Sequence, residues 1–140
     1  GASDAYSQQD NKPYSPYSQF SGGDDTQNLY KPYAEPFMNK KRAIVAESAK
    51  RLAKIKPSID AKAGEEVKME LTRQMGALKQ AMNYLVEGSK KGDKENQAFQ
   101  MDLEQLGVEC KQKRWDEAPN TYARAQKELA EFMTLMDVKA

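Results

Sequence analysis

Apolar residues recur through residues 42–85 at steps of three and four. Val67, Leu71, Met75, Leu78, Met82 and Leu85 fall on one line, the repeat that a single buried helical face requires; a strand would alternate at every second position. Val45, Ala49, Leu52 and Ile55 make a second such stripe ahead of Pro57. Proline disfavours helical geometry in the residue before it, so the pattern predicts two amphipathic helices hinged at Pro57. The first is expected to begin at an Asn39 cap and end near Ile55. The second is expected to be capped by Ser58, with Asp60 in its first turn, and to run to Glu87, about 28 residues or about 42 Å. Gly64 and Gly76 should each weaken it by about 1 kcal/mol unless close packing uses the missing side chain. Gly88 suits its C-terminal cap, with Lys90 and Lys91 near its negative end.

Downstream, Phe99, Leu103, Leu106 and Cys110 step by four, three and four, which predicts a third helix capped by Asp93 and ending near Arg114 or Trp115. Ala118, Tyr122, Ala125, Leu129, Phe132 and Met136 continue the rhythm in a fourth. Asp116 is expected to start it, and Pro119 is tolerated in its first turn, where amides lack intrahelical acceptors. Four amphipathic helices with short connections pack as antiparallel neighbours, so the expected fold is all-α, an up-down-up-down four-helix bundle over residues 37–140.

Residues 1–36 have another character. Tyr6, Tyr14, Tyr17, Tyr30 and Tyr33 alternate with Pro13, Pro16, Pro32 and Pro36 among Ser, Gln and Gly, and Leu29 is almost the only aliphatic residue. Such a segment buries too little apolar surface to offset its ordering entropy and is expected to be extended or disordered when alone. Its Tyr-Pro spacing suits docking along another surface in an extended form. Tyr14, Tyr17, Tyr30, Pro32, Tyr33 and Pro36 are therefore expected to contact a partner.

Charge separates the two parts. In residues 1–36, Lys12 and Lys31 stand against Asp4, Asp10, Asp24, Asp25 and Glu35, a net −3, while the remaining 20 basic and 16 acidic residues give +4. The basic excess gathers at Lys40, Lys41 and Arg42, at Lys90 and Lys91, and at Lys111, Lys113 and Arg114. These eight are the basic partner-binding candidates, for docking that should weaken with salt. The near-neutral total and the lack of a basic recognition helix argue against nucleic acid.

Histidine is absent, which removes the commonest general base and the commonest zinc ligand. No carboxylate sits in an apolar context that would tune it for catalysis, so no catalytic, cofactor-binding or metal-binding residue is expected and the chain reads as a non-enzyme. Cys110, the single cysteine, lies in an apolar stripe and should be a buried, inert thiol. Met69, Met75, Met82, Met101, Met133 and Met136 are expected mostly as core filler. No segment approaches the ~20 apolar residues of a membrane span, which predicts a soluble chain, with no sign of self-association. The chain starts at Gly1, so any targeting peptide would lie upstream.

Several blocks resemble a known family. Ala46-Glu47-Ser48-Ala49-Lys50, then Lys56-Pro57-Ser58-Ile59-Asp60-Ala61-Lys62-Ala63, then Leu71-Thr72-Arg73 are similar to the PsbQ family of extrinsic photosystem II subunits. Tyr33-Ala34-Glu35-Pro36 resembles that family's Tyr-x-x-Pro before the first helix, and Tyr122-Ala123 with Leu129 and Met133 resembles its last helix. Plant members carry Trp-Pro-Tyr where this chain has Gly64-Glu65-Glu66, and the Tyr-Pro-Ser tail is more similar to the PsbQ-prime type of red algae and diatoms. The resemblance implies a four-helix bundle in the plastid thylakoid lumen, peripheral to the membrane. It also implies a non-catalytic subunit beside the other extrinsic subunits on photosystem II, stabilising the oxygen-evolving complex and helping to retain calcium and chloride. A second reading is an exchangeable amphipathic bundle that opens on lipid or another acidic partner. The mixed charges on its polar faces fit a membrane surface less well.

Overall fold

A computed structural model describes residues 35–139. It holds α1 (Glu35–Ala53), the one-turn α2 (Lys56–Asp60), α3 (Gly64–Leu85), α4 (Lys90–Lys111) and α5 (Ala118–Leu135), with no strand among the described residues. The long helices α1, α3, α4 and α5 pack in chain order around a ring that α1 and α5 close, the expected up-down-up-down bundle. α2 lies against α3 and α5 at one end. The stripes read from the sequence form the core: Val45 and Leu52 from α1, Leu78 and Leu85 from α3, Phe99 and Leu106 from α4, and Leu129 and Phe132 from α5 are all buried. Cys110 is buried as well. Met69 and Met101, read as filler, instead stand exposed.

The hinge is more elaborate than one proline stop. α1 ends at Ala53, Pro57 occupies the first turn of α2, and the chain breaks again before α3. Lys62 adopts a left-handed φ of 59°, the Ala63 amide donates to the Ser58 carbonyl at 2.8 Å and the Lys62 amide to the Ile59 carbonyl at 3.0 Å. This pair of bonds is the helix-terminating motif that usually falls on glycine, so the second helix is not continuous from Ser58. Ser58 does not cap it either. Its hydroxyl donates to Glu66 Oε1 at 3.0 Å, clipping α2 to the first turn of α3.

Further boundaries shift: α1 begins at Glu35, so Asn39 lies inside it rather than capping it, and α4 ends at Lys111 rather than near Arg114 or Trp115. Ser89, not Asp93, caps α4: its Oγ accepts the Gly92 amide at 3.1 Å. Lys90 and Lys91 thus open α4 rather than close α3. α5 begins at Ala118, with Glu117 rather than Asp116 before it and no side-chain cap. Gly88 does supply the turn, with φ 84°. Gly92 sits in a tight place: a Cβ there would lie 2.5 Å from Met136 Sδ and 3.0 Å from Ser89 Oγ, so those side chains would have to move. Gly76 has nothing within 4 Å of its Cβ direction, so packing does not offset its cost to the helix.

Two polar ties fasten α1. Ser48 Oγ donates to Gln74 Oε1 at 2.8 Å in the α1–α3 interface, and the Tyr122 hydroxyl donates to the Leu52 carbonyl at 2.8 Å from α5. Both are buried, which satisfies groups that would otherwise destabilise the core.

Candidate docking surface

Antiparallel packing sorts the basic candidates by end. The start of α1, the end of α3 and the start of α4 share one end, so Lys40, Lys41, Arg42, Lys90 and Lys91 come to the same end of the bundle. Lys111 ends α4 at the other, and Lys113 and Arg114 follow it there, about 30 Å away by the length of a 22-residue helix.

Several of these cations already have partners. Arg42 Nε donates to the Met136 carbonyl at 3.3 Å, and its guanidinium meets Asn39 Oδ1 at 3.0 Å and Glu35 at 3.8 Å, tying α1 to the end of α5. Arg114 pairs with Glu117 at 2.6 Å and donates to Gln112 Oε1 at 3.0 Å. Lys113 has φ 61° at the close of α4. Lys40, Lys90, Lys91 and Lys111 are exposed. Pro36 belongs to α1, and Tyr14, Tyr17, Tyr30, Pro32 and Tyr33 lie outside the described residues.

Lys41 stands apart. Its Nζ lies 5.8 Å from the centroid of the Phe37 ring and 5.7 Å from that of Tyr84. The two rings meet edge to face, with centroids 6.0 Å apart and planes at 71°. An ammonium within ~6 Å of an aromatic face is attracted by the ring quadrupole, and edge-to-face pairs are a favoured geometry. Phe37 is nevertheless 55 % exposed. The cluster joins the first turns of α1 to the last turn of α3, where the antiparallel pairing brings residue 37 opposite residue 84. Residues 37 and 41 share a helix face at a spacing of four, which the sequence displays; Tyr84 joins them only through the fold.

A second polar cluster runs along the α4–α5 interface. Arg124 bonds Asp102 at 3.2 Å, and the Glu128 carboxyl lies close enough to Asp102 to feel its charge. Burial first, then Asp102 and Glu95, push the Glu128 carboxyl up to about 7 against the opposing pull of Arg124. Glu109, 3 % exposed, accepts from Gln105 Nε2 at 2.8 Å through one oxygen, while its Oε1 and Glu128 Oε1 are buried without a hydrogen-bond partner. Burial, and next the Glu109 charge, raise the Cys110 thiol above its ordinary range, which disfavours the reactive thiolate. Among the described residues no group of three or more Cys, Asp or Glu is placed to hold a metal ion, and no helix is long and apolar enough to cross a membrane.

The geometry is that of a small helical bundle with charged and aromatic clusters on its surface. The family model described as PsbQ, oxygen evolving enhancer protein 3, matches residues 24–137, and the chain belongs to that family of extrinsic photosystem II subunits. Searches of curated proteins and of solved structures returned no significant match.

Proposed function

We propose that the chain is a non-catalytic subunit on the lumenal face of photosystem II, peripheral to the plastid thylakoid membrane and of the PsbQ-prime type. There it stabilises the oxygen-evolving complex, supports calcium and chloride retention and helps neighbouring extrinsic subunits to bind. The observation that carries this reading is the family match over residues 24–137, supported by the four-helix bundle. Within it, Tyr14, Tyr17, Tyr30, Pro32 and Tyr33 contact neighbouring lumenal proteins, and the exposed lysines steer docking onto acidic surfaces.

The test is rebinding to salt-washed photosystem II, following bound protein and oxygen evolution at low calcium and chloride. The full chain should bind and restore activity. A chain lacking residues 1–36 should bind more weakly if the tail is an anchor, and equally if the bundle alone carries recognition. Failure of the full chain to bind would sink the reading.

A further inference from the structure

Single exposed apolar residues are ordinary on a protein surface and need no explanation. Met69, Met101, Val108 and Leu135 are exposed in this scattered way. Phe37 differs because two neighbours hold it in a defined setting: its ring meets Tyr84 edge to face at 6.0 Å, and Lys41 Nζ is held 5.8 Å from its centroid. Phe37 nevertheless remains exposed. Lys41 has no carboxylate within ion-pair distance among the described residues, and neither has the adjacent, exposed Lys40. Glu35, the acidic residue at this end of α1, leans instead toward Arg42 at 3.8 Å. The patch therefore joins an aromatic anchor to two cations that have no counter-charge at hand among the described residues.

We propose that Phe37, Lys41 and Tyr84, with Lys40 beside them, are the anchor by which the bundle grips an acidic segment of a photosystem II lumenal protein, a carboxylate of that segment pairing with Lys41 while an apolar side chain covers Phe37. The proposal rests on the photosystem II reading and assigns recognition to one end of the bundle. Aromatic and cationic side chains placed together are the groups that dominate interface energetics. Because the rings already position the ammonium, less conformational freedom is lost on binding than for a free lysine. The charge pair should also make association salt-dependent.

The experiment is rebinding of full-length variants to salt-washed photosystem II across a salt series. Phe37→Ala should weaken binding at least about tenfold, and Lys41→Glu should weaken it further and flatten its salt dependence. Lys41→Arg should retain most of the affinity, because it keeps both the charge and the stacking. Lys111→Glu, at the opposite end, should change little. Circular dichroism and melting temperature should match the unmodified chain for every variant, which separates lost docking from lost folding. A carbodiimide, which joins an amine to a carboxylate only in direct contact, should link Lys41 to an Asp or Glu of the partner.

If the unmodified chain does not bind, the family reading and the proposal fall together. If it binds and Phe37→Ala and Lys41→Glu bind equally well, the proposal alone is overturned. A Lys111→Glu loss as large as that of Lys41→Glu overturns it as well, by showing diffuse electrostatics. So does a Lys41 crosslink formed within the free chain, or binding of the bundle to anionic vesicles that Phe37→Ala abolishes.

Discussion

The Tyr122 hydroxyl reaches across the bundle to the Leu52 carbonyl at 2.8 Å, joining α5 to the last turn of α1. α1 ends at Ala53, and the same carbonyl also accepts the Ile55 amide at 3.2 Å in the turn that follows, so it carries two hydrogen bonds. Tyr122→Phe keeps the ring and removes one of the two bonds to that carbonyl, so it should cost about 1 kcal/mol, read as a lower urea midpoint with an unchanged slope. Burial also raises the Tyr122 phenol above its ordinary range. It should ionise late in a spectrophotometric alkaline titration of the tyrosines.

Lys62, Lys113 and Asp137 end three helices in left-handed backbone, with φ of 59°, 61° and 59°. A side chain costs about 1 kcal/mol there and glycine does not. Lys62→Gly and Lys113→Gly should each stabilise the bundle by about 0.5–1 kcal/mol. A lower melting temperature in either variant would contradict this account of the helix ends.

Gly92 is closed in by Met136 Sδ, Ser89 Oγ and Val86. Gly92→Ala should destabilise the fold by about 1–3 kcal/mol through displacement of its neighbours. Shortening Met136 to Ala frees space for the new methyl group. The double variant Gly92→Ala/Met136→Ala should therefore lose less than the two single losses added together, as chemical denaturation of all three proteins would measure.

Glu128 couples stability to pH. Its carboxyl is raised from 4.5 to about 7, so between those values the folded chain retains a proton that the unfolded chain releases. The stabilisation from that proton is complete below pH 4.5, declines as pH rises toward 7 and is gone above it. Glu128 is partly solvent-accessible, so screening leaves about 1 kcal/mol of this effect. Glu128→Gln should flatten the slope of stability between pH 4.5 and 7, measured by denaturation in matched buffers.

The helical stripes were legible because burial imposes a period on the sequence, and Leu71, Leu78 and Leu85 keep it without exception. Helix ends were less legible. The usual stop is a glycine, and here Lys62 and Lys113 take that backbone geometry under tertiary control, so the break after α2 left no mark in composition. Ser89 competed with Asp93 for one cap, and both are cap-forming residues. Met101 stands two positions from both Phe99 and Leu103, about 200° round the helix from each, so the period itself turns it outward and its reading as core filler went against the stripe. The basic clusters were visible as sequence, but their division between opposite ends follows from antiparallel packing. The pairing of Phe37 with Tyr84, like that of Asp102 with Glu128, joins residues on different helices and requires the assembled bundle.

The ring of helices closes where α1 meets α5, its most sparsely packed long seam. Arg42 and Met136 stand 94 positions apart along the chain, and Leu52 and Tyr122 stand 70 apart. Neighbouring helices meet across short connections, whereas this seam must gather nearly the whole length of the bundle, so it is expected to form last as the chain folds and to part first when it opens locally. A partner that holds α1 at Phe37 would therefore act as a latch: on binding, amide exchange should slow along α1 as far as Leu52, well beyond the atoms it touches.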